Sequence, residues 1–107
     1  MSYGPIDRRF VALEGGSATS STRTSNPILV ASYRQITASI QTAGPGNHIL
    51  QATNYDGLSN PLAEGNWSAI SSTITALFVN VEPGMRWLRW IKPATDSLAT
   101  CIFNCRT

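Results

Sequence analysis

Two cysteines, one histidine and six carboxylates are the residues from which this 107-residue chain could build chemistry. Cys101 and Cys105 stand four apart. On a strand such positions share one face and lie roughly 13 Å apart at the ordinary rise. A disulfide needs Cα atoms within about 7 Å, so an intrachain bridge requires a bend after Ile102. A zinc site needs further ligands, and His48 is the single imidazole. The expectation is two reduced, partly buried thiols. A dyad of either thiol with His48 has no local sequence signature behind it. His48 follows a Pro-Gly-Asn turn and is expected at the surface or on an edge strand. The carboxylates Asp7, Glu14, Asp56, Glu64, Glu82 and Asp96 fall mostly in or beside turns. There they make side-chain to backbone hydrogen bonds, and no pair is nominated as the two acids of a glycosidase. No helix is apparent to carry a phosphate loop. The expectation is a protein that is no enzyme, with no metal and no cofactor.

The aromatic residues say more. Trp67, Trp87 and Trp90 all fall in the second half. In the segment MRWLRWIK, 85–92, alternation puts Arg86, Leu88 and Trp90 on one face and Met85, Trp87, Arg89 and Ile91 on the other. Apolar groups on both faces mark a strand that is central or packed against another subunit. Leu88 and Trp90 are the core choices. Trp87 beside Arg89 is a candidate for self-association, since aromatic and Arg side chains are common interface anchors.

The elements around these residues are strands. Apolar residues alternate and breakers recur at short intervals. Strands are expected at 9–14, 27–32, 34–41, 47–53, 85–92 and 97–104, with 69–81 holding two short strands or one bent one. Residues 15–26, rich in Gly, Ser and Thr, read as a loop or a polar ribbon. Turns fall at 42–46, 55–61, 82–84 and 92–96. Seven to eight strands at this spacing predict an all-β fold, a single-domain antiparallel β-sandwich of jelly-roll type. Residues 1–8 read as an N-terminal arm and 9–107 as the sandwich domain.

Charged residues make up only 13% of the chain and the formal net charge is +2. Average chains carry roughly 25% charged residues, so the surface is charge-poor. Apart from Arg8-Arg9 the cations do not cluster along the sequence. No nucleic-acid partner is expected, since phosphate tracking needs several cations on one stripe. No secretory signal and no apolar run of spanning length is visible, so no membrane partner is expected and synthesis is expected in a cytosol.

The order of segments from Ile49 onward resembles the small discoidin-like or jelly-roll modules of tailed-bacteriophage structural proteins. The residues that carry the resemblance are Gln51, Asn54, Asp56, Gly57, Trp67, Arg86, Trp87, Leu88 and Arg89. The match covers the C-terminal half to two thirds. The spacer from Gly57 to Trp67 is longer than the pattern, and the first forty residues have no counterpart. The resemblance implies a virion protein made in the host cytoplasm and placed on the capsid surface. The implied role is a decoration or cement subunit, a homo-oligomer with a trimer favoured, whose partner is the major capsid protein. Tyr3, Ile6, Arg8, Arg9 and Phe10 are the candidate capsid-binding residues, and Trp87 and Arg89 the self-associating ones. The alternative is a carbohydrate-binding module of a phage fibre or tail, its glycan held by Asn54, Tyr55, Asp56 and Trp67.

Overall fold

The computed structural model describes residues 7–15, 22–41, 47–55, 67–74, 78–96 and 98–107. Tyr3, Ile6 and Asp56 lie outside them. The strands are β1 (Asp7–Leu13), β2 (Arg23–Thr24), β3 (Ile28–Leu29), β4 (Gln35–Gln41), β5 (His48–Thr53), β6 (Ser68–Ile74), β7 (Phe78–Val81), β8 (Trp87–Lys92) and β9 (Thr100–Arg106). A short 3₁₀ turn covers Ala94–Asp96 between the last two.

The strands pair in a nested way. β1 pairs with β9, β2 and β3 with β8, β4 with β7, and β5 with β6, all antiparallel. Two further pairings, β4 with β9 and β5 with β8, join these ribbons into sheets. The first sheet therefore runs β1-β9-β4-β7, and the second β2-β8-β5-β6 with β3 also on β8. First strand with last, second with next to last, is the winding of a jelly roll.

β2 and β3 act as one interrupted edge strand on β8, which brings the nine segments to eight, within the seven to eight expected. Between them Ser25 keeps the ladder intact. Its N–H donates to the Trp90 carbonyl at 2.8 Å, and its hydroxyl oxygen accepts from the Trp90 N–H at 2.8 Å. Pro27, which has no N–H to give a ladder, sits in this gap.

Alternation decides which residues enter the core. In β4, Ile36, Ala38 and Ile40 are buried while Gln35 and Gln41 are exposed. In β8, Leu88, Trp90 and Lys92 are buried and Trp87, Arg89 and Ile91 are half-buried. In β9, Cys101, Phe103 and Cys105 face the same interior. Trp90 and Phe103 meet across the sandwich with ring centroids 5.3 Å apart. Burial of each such large side chain contributes about 1.5–3 kcal/mol. Both cysteines are free and buried on a strand without a bend between them. At the Glu82-Pro83-Gly84 turn, Gly84 has φ of 114°, a conformation that glycine adopts without a Cβ clash.

β1 begins at Asp7, two residues before the expected start, so Arg8 and Arg9 belong to a paired strand. Lys92 was expected where the strand 85–92 meets the turn 92–96, with no burial assigned to it. It is the last inward residue of β8 and is buried.

Candidate functional site

The chemistry-bearing residues gather first in the core. His48 lies on β5, an inner strand of the second sheet, and is buried. This corrects the expectation of a surface or edge-strand histidine: the residue has even parity with Leu50 and Ala52, so alternation turns it inward. Its Nε2 lies 2.6 Å from Asp96 Oδ2. Trp90 Nε1–H donates to His48 Nδ1 at 2.9 Å, and Cys101 Sγ lies 3.9 Å from the same nitrogen. Indole N–H can only donate, so Nδ1 carries the lone pair and Nε2 the proton, which goes to Asp96. Asp96 thus serves a side chain across the core. The expectation that turn carboxylates would bond mainly to backbone fails here because the 3₁₀ turn folds Asp96 inward.

Cysteine, histidine and aspartate in this order have the outline of a nucleophile, its base and the group that orients the base. The rest of the geometry does not serve that chemistry. The base nitrogen already accepts the Trp90 N–H. Cys101 is sealed from solvent, and burial pushes its thiol up to about 12, so it holds its proton at neutral pH. Burial pushes Cys105 up to about 11. Lys92 completes the network, its Nζ donating to the carbonyls of Glu14 and Ala99, both at 3.0 Å. These bonds tie β8 to the end of β1 and to the entrance of β9. Among the described residues no group of three or more His, Cys, Asp or Glu is arranged to hold a metal ion.

A second constellation lies on the outer face of the second sheet. Trp87, Arg89 and Ile91 point outward from β8 beside Thr53, Gln51 and Ile49 of β5, their cross-strand partners. Leu29 pairs with Trp87 and is 49% exposed. The Arg89 guanidinium stands 4.3 Å from the centre of the Trp67 ring, and its Nε donates to Gln51 Oε1 at 2.6 Å. Partial burial lowers the Arg89 pKa below that of an arginine in water. Trp87 Nε1 donates to the Tyr55 carbonyl at 3.0 Å. Asn54 Oδ1 accepts the Arg86 backbone N–H at 2.9 Å, and the Tyr55 N–H goes to Thr53 Oγ1. The structure thus joins Trp67 to the self-association candidate Arg89, and Tyr55 to Trp87. Asn54 and Tyr55 use these groups to fix the chain after β5.

The third region is the outer face of the first sheet. Arg9 is exposed on this face, beside Asn104; Arg8 and Phe10 have the opposite parity, Arg8 exposed at the end of the sheet and Phe10 packed inward with its ring 6.0 Å from that of Tyr33. Arg106 Nε donates to Asp7 Oδ1 at 2.8 Å, which holds the Asp7 carboxyl below its ordinary range. A shallow cleft of about 390 Å³ is lined by Arg8, Arg9, Thr37, Asn104 and Arg106 with Asp7 and Gln35. Sequence reasoning found Arg8 and Arg9 but missed Arg106, Lys92 and Asp96. Parity with Leu88 and Trp90 was the available signal for Lys92. Arg106 needed the pairing of first strand with last.

No protein-family model matches the chain, and no curated protein matches it in sequence. Among solved structures it is similar to the SPBc2 prophage-derived protein YomS. The TM-score is 0.68 at 13% identity, over 100% of this chain and 98% of that one. At that identity the likeness concerns the fold. It spans both sheets, and so includes the N-terminal region that the sequence resemblance left without a counterpart.

Proposed function

We propose that this protein is a non-enzymatic virion structural subunit that decorates or cements a capsid. In this reading it self-associates, binds the major capsid protein and stands on the capsid surface after synthesis in the host cytoplasm. The observation that carries the proposal is the outer face of the second sheet. There Trp87, Arg89 and Ile91 lie beside Ile49 and the exposed Leu29, with one cation and no carboxylate among these residues. Aromatic, aliphatic and Arg side chains without opposing charge are what the centre of a protein interface contains. The likeness to a prophage-derived protein supports a phage setting. The sealed state of Cys101 and His48 supports a role without catalysis.

Attachment to the capsid is assigned to Arg8 and Arg9, with the arm residues Tyr3 and Ile6 ahead of them and Phe10 anchoring the strand from inside. The sugar-binding alternative is weaker, because Asn54 Oδ1 and the Tyr55 carbonyl are engaged by Arg86 and Trp87, and the Trp67 ring is covered by Arg89.

Light scattering at two concentrations tests self-association. A stable particle of three 11.5 kDa chains is expected, and Trp87→Ala and Arg89→Ala should lower the mass while circular dichroism shows the fold retained. A wild-type monomer at both concentrations, together with failure to co-sediment with the heads of the phage that encodes it, would overturn the proposal.

A further inference from the structure

The eight cations are scattered in sequence, yet four of them meet at one corner of the fold. Arg8 and Arg9 open β1, and Arg106 ends β9 directly opposite Asp7; Arg9, paired with Asn104, shares the outer face with Arg106, while Arg8, paired with the inward Cys105, is exposed at the rim of the sheet. Arg34 precedes β4, its backbone N–H donating to the Arg106 carbonyl at 2.9 Å. Asp7 is already taken by Arg106. Among the described residues no carboxylate pairs with Arg8, Arg9 or Arg34.

From this corner a row of polar side chains crosses the sheet. Arg9 stands beside Asn104, Asn104 beside Thr37, and Thr37 beside Asn80. At roughly 4.8 Å between strands, the row spans about 14 Å. Its neutral groups are held in place: Thr37 Oγ1 donates to Asn80 Oδ1 at 3.3 Å, and Asn104 Nδ2 donates to Ser39 Oγ at 3.2 Å. The next row on the same face ends in Val11, 43% exposed, and Phe78, 69% exposed.

We infer that this face of the first sheet is a docking surface for a carboxylate-rich protein surface, with Arg9 and Arg106 as its charged anchor, Arg8 and Arg34 at its rim, and the amide of Asn104 as a neutral donor beside them. The inference rests on the decoration reading in taking the capsid as partner, and gives that partner's contact its chemistry. Three features favour a protein. Guanidiniums match carboxylates in geometry as well as charge. The cations occupy one end of the face, whereas a nucleic-acid groove needs a continuous stripe. The exposed Val11 and Phe78 supply the apolar part of a protein contact. A second copy does not fit, because a two-fold contact centred on this corner would set arginines against arginines.

The test titrates the ¹⁵N-labelled full chain with short poly-L-glutamate and, separately, with a single-stranded oligodeoxynucleotide of equal charge. Two double variants carry the same formal net charge: Arg9→Glu/Arg34→Glu at the corner, and Arg23→Glu/Arg86→Glu elsewhere. Poly-L-glutamate should shift the amides of Arg9, Thr37, Asn104 and Arg106. The corner variant should bind about tenfold more weakly or worse, or about 1.4 kcal/mol, and the control less than about twofold. Tighter binding of the oligonucleotide, or equal losses in both variants, would overturn the inference. Co-sedimentation with phage heads separates the two readings. Heads bound equally by the wild type and the corner variant sink this inference and leave decoration standing. Poly-L-glutamate bound at the corner by a chain that ignores heads sinks decoration and leaves the acidic-surface site.

Discussion

Replacing Asp96 by alanine should expose how much the fold depends on its buried polar network. The side chains of His48 and Asp96 are 1% and 3% accessible, so water cannot substitute for a lost partner. The indole N–H of Trp90 fixes the proton of His48 on Nε2, 2.6 Å from the Asp96 carboxylate. Asp96→Ala leaves that N–H buried without an acceptor, at a cost of about 1–3 kcal/mol. It also removes the buried negative charge from a region that holds Lys92; both charges act on the Cys101 thiol. A loss near 3 kcal/mol, the upper end of that range, is a large share of the roughly 5–15 kcal/mol that holds a domain together. With a urea slope of about 1.5 kcal/mol/M, the unfolding midpoint should fall by about 2 M. Asp96→Asn keeps an oxygen facing Nε2–H, and should lose only about 1–2 kcal/mol. Urea denaturation followed by Trp fluorescence measures both. An alanine variant within about 0.5 kcal/mol of wild type, the scatter of ordinary surface substitutions, would refute the reasoning. An asparagine variant as damaged as the alanine one would show that charge, and not the hydrogen bond, is what matters.

The thiols should be inert in the native state. At pH 8 a disulfide reagent should label neither Cys101 nor Cys105 until denaturant is added, and rapid labelling of the folded chain would contradict their burial. Because burial raises both thiols, to about 12 and about 11 from 9.0, the folded chain keeps protons that the unfolded chain releases. The contribution of the thiols is therefore complete below pH 9 and should be lost as pH rises from 9 toward 12. The decline should be shallower in a Cys101→Ala/Cys105→Ala variant, and an unchanged slope in midpoint against pH would rule the thiols out as its source. Gly15→Ala should destabilise by roughly 1–3 kcal/mol, as overpacking does. A Cβ there would lie 2.2 Å from the Leu98 carbonyl oxygen, where the Gly15 N–H meets Thr100 Oγ1 at 2.9 Å. A thermal midpoint equal to wild type would show that the segment yields without cost.

Much of the fold was legible because period-2 alternation reports a half-buried strand directly. Ile36, Ala38 and Ile40 against Gln35, Thr37 and Ser39 predicted β4 and its wet face, and the observed burial follows that pattern. Leu88 and Trp90 were placed in the core for the same reason and are fully buried. The interrupted strand was not legible. β2 and β3 have two residues each, and what joins them is the Ser25 hydroxyl standing in for a backbone group. A serine in a Ser/Thr-rich stretch carries no mark of that use.

The site was less legible, for a related reason. Residue type suggests where a side chain is comfortable, and alternation states where it must point; at His48 and Lys92 the two disagree. Both sit at inward positions, and the fold accepts them because each finds partners there: His48 between Trp90 and Asp96, Lys92 on two carbonyls. Giving alternation priority over polarity would have placed both in the core from sequence alone. The basic corner needed topology as well. Arg8, Arg9 and Arg106 lie at opposite ends of the chain, and only nested pairing brings them together, with Arg34 alongside through the pairing of β4 with β9. A charge-poor jelly roll with mild net charge therefore presents one locally basic face and one nearly uncharged aromatic face. Pairing order brings Arg9 and Arg106 to the first, and strand parity assigns Trp87 and Arg89 to the second. Each face can therefore be altered by substitution without touching the other, which is what lets attachment and self-association be tested separately.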